Sequence, residues 1–439
     1  MAFPTNTNQR VFYATQGVAV GDQGATALVD SAGGGTATHL VNLAAKLGVV
    51  HGLQSMGVTT NFNLEQIFEL GQLSLYENRE DIPDIEVTFE KLLDGYSLIY
   101  HMSTNDATNA TLTGRADARA DVRAVIGYAT SDNIQAGGTN SGVAELYCSG
   151  MYISSVSYSL ATDGNFTEST TLVGNDKAWL TGATTDPYGT ILVSSNGTIN
   201  AVFSTAVFGN DAPVGVNASV LRRENVVIGS AGKVLGPSGA TFRTVVPNFI
   251  EGAVTGPAGT WGISGATAGF AGITAGTGLD TNSSYIVDGG TLYLNSFSTS
   301  VDLGRESINQ LGKRVPYYRY VSFPVDVTSD IEVVAVGGDN INAAEESQNL
   351  SNHSIQIVLD DSTVICLGNK NKTTSVSYGG GDAGGGNATI TYSMTNSNDF
   401  VVLNSGDPLC HGDRVGAVSY WKNSFEYNYC RIIVDDRPL

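Results

Sequence analysis

Charged residues are scarce in this chain, and basic residues are the scarcest of them. Only 15% of the 439 residues are charged, against about 25% in an ordinary soluble domain. The 22 Lys and Arg residues face 42 Asp and Glu residues, a formal net charge of −20. Proteins that grip nucleic acid neutralise its phosphates with Lys and Arg. This charge balance therefore disfavours nucleic-acid binding. The negative charge would either repel a polyanion or only keep the protein soluble.

Cysteine is also rare, and long apolar runs are missing. The four cysteines form no CxxC pair and no His/Cys cluster with zinc spacing; they are Cys148, Cys366, Cys410 and Cys430. Such scarcity favours folding in a reducing compartment. No stretch approaches the roughly 18 apolar residues of a membrane span, and MAFPTNTNQR at the start lacks the pattern of a signal peptide. We therefore expect neither a membrane span nor a secretion signal.

Motifs for catalysis or cofactor binding are lacking as well. The five histidines form no HxxxH or HExxH pair, Gly229–Val234 fails as a phosphate loop, and there is no G-x-S-x-G elbow. Acidic residues are dense between Glu77 and Glu86, but their spacing excludes an EF-hand. A solvated face is the simplest interpretation, and paired catalytic carboxylates stay open. We expect no enzyme, no catalytic residue, no cofactor and no metal.

The residues that are abundant indicate short strands joined by turns. Glycine alone accounts for 53 residues. Ile85, Val87 and Phe89 alternate with Glu86, Thr88 and Glu90, which predicts a half-buried strand with an acidic face. Alternation near Ser154–Ser155 shifts parity, which predicts a β-bulge, and Asp163-Gly164 predicts a hairpin turn. Asn63–Gly71 is the clearest helical signal, of one or two turns. The predicted fold is mainly antiparallel β.

Two parts of the chain share an order of features, which indicates an internal duplication. Residues 58–83 resemble residues 297–324. Val58–Leu64 aligns with Phe297–Leu303, and both segments continue to a Leu-Gly pair and then to an Ile-Pro or Phe-Pro pair. The distance to the Leu-Gly pair differs by two residues. Residues 148–176 resemble 366–399 through Cys-x-Gly, Ser-Val-Ser-Tyr and a Thr-rich strand. We predict domains at 1–180 and 216–420, with a linker at 181–215, a Gly/Ala/Thr-rich insertion at about 250–290 and a C-terminal tail at 421–439.

Residues 68–91 and 152–164, with the opening at 8–16, resemble the tail-tube proteins of tailed bacteriophages. The resemblance implies two tube-type antiparallel β-sandwich or half-barrel domains, each with one short helix, which complete a β-barrel ring by oligomerisation. It implies a structural virion protein whose rings stack into a tail tube, assembled in the host bacterial cytoplasm. Double-stranded DNA would pass through this channel without specific binding during genome ejection. Implied partners are other copies and other tail proteins, namely a sheath if present, a terminator and a baseplate.

A duplicated chain alters the subunit count that the resemblance implies. Six tube domains per ring would come from three chains, with pseudo-sixfold symmetry. Acidic groups from both copies are expected to line the bore, the candidates being Glu86, Glu90 and Asp326, although the same strand faces would also suit the outside of the tube. The alternatives are a baseplate hub or another tail-associated protein, and then a capsid decoration protein.

Overall fold

The structure is a computed structural model, and it describes residues 16–25, 27–29, 46–107, 110–128, 141–180, 220–226, 294–313, 316–335, 355–359, 363–368, 370–381 and 386–403. The strands before residue 181 are β1 (Gln16–Asp22), β2 (Ala27–Val29), β3 (Lys46–Val49), β4 (Leu53–Asn61), β5 (Leu64–Phe68), β6 (Leu75–Glu80), β7 (Asp84–Leu92), β8 (Ala120–Tyr128), β9 (Ser141–Ala161), β10 (Thr167–Gly174) and β11 (Asp176–Leu180). The later strands are β12 (Leu294–Asp302), β13 (Arg305–Ile308), β14 (Tyr318–Val321), β15 (Asp326–Val334), β16 (Gln356–Val358), β17 (Val364–Cys366), β18 (Lys372–Gly379), β19 (Thr389–Ser397) and β20 (Val401–Leu403). Two short helices, α1 (Ile99–Ser103) and α2 (Leu112–Arg115), and a 3₁₀ helix at Arg223–Asn225 complete the described elements.

An eight-stranded antiparallel sheet, here called the long sheet, contains strands from both halves of the described chain. Its strand order is β4-β7-β10-β9-β12-β15-β19-β18. The N-terminal half of β9 leaves this sheet and pairs with β8 and β11, and β1, β3 and β2 continue beyond β8. The fold is thus mainly β and antiparallel, as predicted, with β2 and β3 as a parallel pair.

The long sheet consists of two units with the same connectivity. The first repeat (residues 53–180) contributes β4-β7-β10-β9 and the second repeat (294–403) contributes β12-β15-β19-β18. Each unit has a hairpin between its first two strands: β5–β6 (hairpin 1) or β13–β14 (hairpin 2). Each also has three side strands, in the order β8-β9-β11 or β16-β17-β20; the first set continues through β1, whereas the second is a separate three-stranded sheet. The order of elements that the sequence pattern indicated is therefore present in both parts.

Local irregularities recur at corresponding positions in the two repeats. Ser154 is the extra residue of a bulge between β9 and β10, as predicted, and Thr374 is its counterpart between β18 and β19. A second bulge follows Leu53 in β4 and Leu294 in β12. Such bulges bend and twist a strand, so their recurrence gives both units the same local shape.

One detail of the sequence alignment was wrong. Leu53 and Leu294 lie 241 positions apart, as do the turn glycines Gly71 and Gly312, both with positive φ. The two-residue length difference therefore disappears, and Val58 corresponds to Thr299, not to Phe297. A shift of two residues keeps every side chain on the same face of a strand, so the hydrophobic pattern alone does not distinguish these registers.

The core lies on one face of the long sheet. Ile85, Val87 and Phe89 are all buried, as the alternation of β7 predicted. The helix α1 is wholly buried, and its Ile99 and Tyr100 N–H groups donate to the Glu168 carboxylate at 2.9 Å each. Buried side chains of both repeats form one continuous cluster, so the repeats pack as a single body.

The predicted helix at residues 63–71 was wrong, because Leu64–Phe68 is strand β5 of hairpin 1. Its apolar residues have helical spacing, but among the described residues hairpin 1 has no core surface on which a helix face would pack. The prediction of one short helix in each unit was also wrong: the first repeat has two, and the longer has five residues, whereas the described residues of the second repeat contain no α-helix. No helix among the described residues is long and apolar enough to cross a membrane.

Several predictions concern residues that lie outside the described part of the chain. These are the linker at 181–215, the insertion at about 250–290, the tail at 421–439, Cys410, Cys430 and Gly229–Val234. The hairpin turn at Asp163-Gly164 is confirmed between β9 and β10, with Gly164 at φ +129°.

Candidate functional site

The three predicted acidic residues lie on one face of the long sheet. Glu90 is opposite Ser169 in the strand pairing, and the row continues through Ser157, Ser300 and Thr328. Directly opposed residues point to the same side of a sheet, and residues two apart in a strand do so as well. Glu86 therefore shares this face with Glu90, and Asp326 shares it through Thr328. We call this side of the long sheet the acidic face.

Further carboxylates lie on the acidic face at positions that the sequence reasoning did not single out. Asp330 and Glu332 continue the alternation of β15, and Asp302 ends β12 on the same side. The alternation of Asp326, Thr328, Asp330 and Glu332 along the sequence would have indicated two of them, Asp330 and Glu332. The structure brings together carboxylates from both repeats.

The acidic face is rich in hydroxyl groups and poor in positive charge. Ser55 donates a hydrogen bond to Glu90 at 3.4 Å, and Ser296, its counterpart in the second repeat, donates to Glu332 at 3.1 Å. Among the described residues of the eight strands, Lys372 at the start of β18 is the one basic side chain at a position of this face. Asp84 has the same parity as Glu86 and pairs with Arg319 of hairpin 2. Within the same residues the other six carboxylates of this face form no ion pair, so the face presents mainly negative charge.

The two ends of the long sheet are unpaired edges in the described chain. β4 pairs with β7 on one side only, and β18 pairs with β19 on one side only. Met56, Val58 and Val376 on these edge strands are only partly buried against the core, and Tyr378 is 55% exposed. Edge strands expose unpaired N–H and C=O groups that can bind another strand.

The repeats meet inside the chain through the same two types of strand. β9 ends the first repeat and pairs antiparallel with β12, which begins the second. On the core face of this junction Val156 lies opposite Val301, and Leu160 lies opposite Phe297, all buried. Serines lie opposite each other on the acidic face, as Ser157 and Ser300 do. The molecule therefore contains one complete example of how two repeats join.

Hairpin 2 reaches across this junction and is anchored on the first repeat. Arg319 bonds to the Asp84 carboxylate and places its Nη2 3.0 Å from Asn175 Oδ1. Arg305 donates from Nε to the Ile153 carbonyl oxygen at 2.7 Å. Both side chains are more than half buried, and burial lowers the pKa of Arg305 to about 10. Hairpin 2 is thus held to the first repeat by two arginines.

Aromatic contacts supplement these anchors. The ring of Tyr318 meets Tyr152 edge to face with centroids 6.1 Å apart, and its hydroxyl donates to Asp117. The Arg119 guanidinium lies 5.3 Å from the Tyr152 ring centroid and 5.7 Å from that of Tyr318. Such cation–π contacts favour the docked position of hairpin 2.

Hairpin 1 has the same position in the first repeat, but among the described residues it contacts no equivalent surface. All six residues of β6 are exposed, and Leu70 and Leu73 at its turn are fully exposed. Together with its flanks it carries seven exposed large apolar residues: Phe62, Leu64, Phe68, Leu70, Leu73, Leu75 and Tyr76. An exposed patch of this kind marks an interaction surface.

Reactive groups are not gathered at any of these surfaces. Cys148 and Cys366 are buried free thiols, and burial raises the pKa of Cys148 to about 12, which keeps its thiol protonated and unreactive. In the part of the chain that is described, no three His, Cys, Asp or Glu side chains are placed to hold a metal ion.

Comparison with known proteins identifies no family. No protein-family model matches the chain, and no curated protein matches it. The sequence resemblance and the geometry of the long sheet are therefore the basis for a functional proposal.

Proposed function

We propose that this chain is a structural virion protein, the tail-tube subunit of a tailed bacteriophage, whose rings stack around a channel for genome ejection. The observation that carries the proposal is the long sheet, in which two repeats are joined edge to edge and each end offers an unpaired strand. A sheet built from joined repeats with complementary ends extends by adding further copies. Closure of such a sheet into a ring removes both edges.

The acidic face supports a channel in particular. A tube that conducts DNA must keep a polyanion away from its wall, and carboxylates do so by repulsion. Glu86, Glu90 and Asp326 lie on the same face, and this face would line the bore if the sheet curves around it. The opposite face carries the core and cannot be exposed to the channel.

Ring size follows from the number of repeats per chain. If six repeats close a ring, three chains supply them, with pseudo-sixfold symmetry. Other copies are then the main partners, and other tail proteins would bind at the ends or the outside of the tube. The protein would assemble in the host cytoplasm and reside in the virion tail.

Negative-stain microscopy of the purified protein, together with native mass spectrometry, tests this function. Hollow tubes built of stacked rings, with three chains per ring, are the expected result. Isolated rings that do not stack would favour a baseplate hub over a tail tube. Rings of six chains would refute the trimer, and monomers at concentrations that assemble other tubes would refute the proposed function.

A further inference from the structure

The junction between the repeats specifies how two copies of the chain would meet. β18 is the second-repeat counterpart of the C-terminal half of β9, because the bulge residues Thr374 and Ser154 occupy equivalent positions in the two strands. β4 is likewise the counterpart of β12. The strands that pair inside the chain, β9 with β12, thus have counterparts at its two free edges.

If β18 and β4 pair in the same register as β9 and β12, each residue of one edge strand has a defined partner in the other. Ser157 lies opposite Ser300 in the internal junction, and their counterparts are Ser377 and Thr59. We propose that β18 of one copy pairs antiparallel with β4 of a second copy, with Ser377 opposite Thr59. We call this pairing the seam; it rests on the proposed tube function.

The side chains at the seam match in chemistry. Val376 comes to lie opposite Thr60, and Tyr378 opposite Val58, on the core face, where these side chains are incompletely buried in the single chain. Ser377 and Thr59 meet on the acidic face. A slip of one residue would turn these apolar side chains to the acidic face. The proposed register is therefore one that keeps the apolar side chains of both edge strands on the core face.

Neither edge strand is protected against pairing. Natural edge strands are usually blunted by charged side chains or proline. β4 reads LQSMGVTTN with no charge and no proline, and β18 reads KTTSVSYG with one lysine at its first position. Edges of this composition are suited to a partner strand, and the internal junction identifies that partner as a second copy.

The same transfer accounts for the exposure of hairpin 1. Hairpin 2 lies across the internal junction, so hairpin 1 would lie across the seam, on the second repeat of the neighbouring copy. The two hairpins correspond residue for residue, since Ile67 pairs with Glu77 as Ile308 pairs with Tyr318. Glu77 is thus the counterpart of Tyr318.

The seam also predicts a contact between opposite charges. Lys372 is the counterpart of Tyr152, because each lies two residues before the bulge residue. Tyr318 contacts Tyr152 inside the chain; at the seam Glu77 would therefore face Lys372 of the neighbouring copy. An ion pair replaces the aromatic contact there.

Cysteine cross-linking tests the register. The double variant Thr59→Cys/Ser377→Cys, in a chain with Cys410 and Cys430 replaced by serine, is oxidised under assembly conditions and analysed on denaturing gels. Cross-linked dimers and trimers are expected at a rate similar to that of the intramolecular control Ser157→Cys/Ser300→Cys, whose positions are opposed in the structure. The shifted pair Asn61→Cys/Ser377→Cys should react at least several-fold more slowly, because diagonal neighbours lie farther apart.

The outcomes separate this inference from the proposed function. Rings or tubes in which the shifted pair reacts faster than Thr59→Cys/Ser377→Cys would overturn the seam and leave the tube function standing. Cross-linking in the predicted register without rings or tubes would uphold the seam and refute the tube function. Monomers that never cross-link would overturn both.

A charge exchange gives an independent measurement. Glu77→Lys should raise the protein concentration needed for assembly several-fold, because it brings two positive charges together. Lys372→Glu in the same chain should restore the wild-type concentration. If the exchange does not restore assembly, hairpin 1 does not lie against β18 of the neighbouring copy.

Discussion

Replacement of Arg319 by methionine should release hairpin 2 from the first repeat. Arg319 contributes bonds to the Asp84 carboxylate and to the Asn175 side-chain oxygen. A hydrogen bond to a charged group contributes about 1.5–3 kcal/mol when buried. The Asp84 side chain is 48% exposed, so solvent screens this pair and its share must be reduced. A net loss of about 2 kcal/mol in the free energy of docking is therefore expected.

Amide hydrogen exchange measures this loss directly. A loss of about 2 kcal/mol corresponds to roughly thirty-fold faster exchange, because about 1.4 kcal/mol is tenfold. The faster exchange should appear in peptides that contain β13 and β14, while the core strand β7 keeps its protection. The matched control is Asn78→Met, since Asn78 occupies the corresponding position in hairpin 1, which is exposed. That substitution should leave the exchange of the single chain unchanged.

Two results would contradict this role of Arg319. Unchanged exchange in hairpin 2 of the Arg319→Met variant would mean that its bonds do not hold the hairpin. Equal acceleration in both hairpins would mean that the substitution acts on the whole fold and not on docking.

Three further predictions concern pH, backbone conformation and the acidic face. Burial raises the pKa of Asp84, but hydrogen bonds from Asn63, Arg319 and Asn175 and the charge of Arg319 outweigh this effect and lower the pKa. Docking of hairpin 2 should therefore be strongest above the unfolded-state pKa of Asp84 and weaken as the pH falls through the lower folded-state value. The Asp84→Asn variant should lose this pH dependence. Gly150→Ala should destabilise the chain by about 1 kcal/mol in urea denaturation, because φ is +64° and the new Cβ would lie 3.1 Å from the end of the exposed Gln23 side chain. Gly368→Ala, at φ +65°, should destabilise it more, since its Cβ would lie 2.7 Å from Oδ2 of the buried Asp399; equal losses would contradict this steric difference. The double variant Glu86→Lys/Glu90→Lys should make assembled tubes retain DNA at low salt. The control Asp163→Lys/Glu224→Lys, which changes the charge equally at other exposed positions, should not. Retention by both variants would show that the effect is not specific to the acidic face.

Much of the long sheet was predictable from local patterns in the sequence. Alternation along Ile85–Phe89 predicted both the strand and its buried face, because a strand that covers a core must alternate. The bulge at Ser154 and the turn at Gly164 were predicted from a parity shift and a turn dipeptide. The repeated order of Leu-Gly, Pro and Ser-Val-Ser-Tyr indicated two similar units before any strand pairing was known.

Tertiary structure decided which strands are neighbours and which register they adopt. No local pattern indicates that β9 pairs with β12, since that pairing joins residues more than 130 positions apart. Shifts of two residues keep the buried face unchanged, so only the paired strands placed Val58 opposite Val87 and corrected the alignment. The helical spacing of Leu64, Ile67 and Phe68 does not produce a helix for a related reason, because these residues lie in a hairpin that covers no core within the described part of the chain. Local composition thus determined the strands and their faces, whereas the joining of the repeats and the free edges depend on contacts between residues distant in sequence.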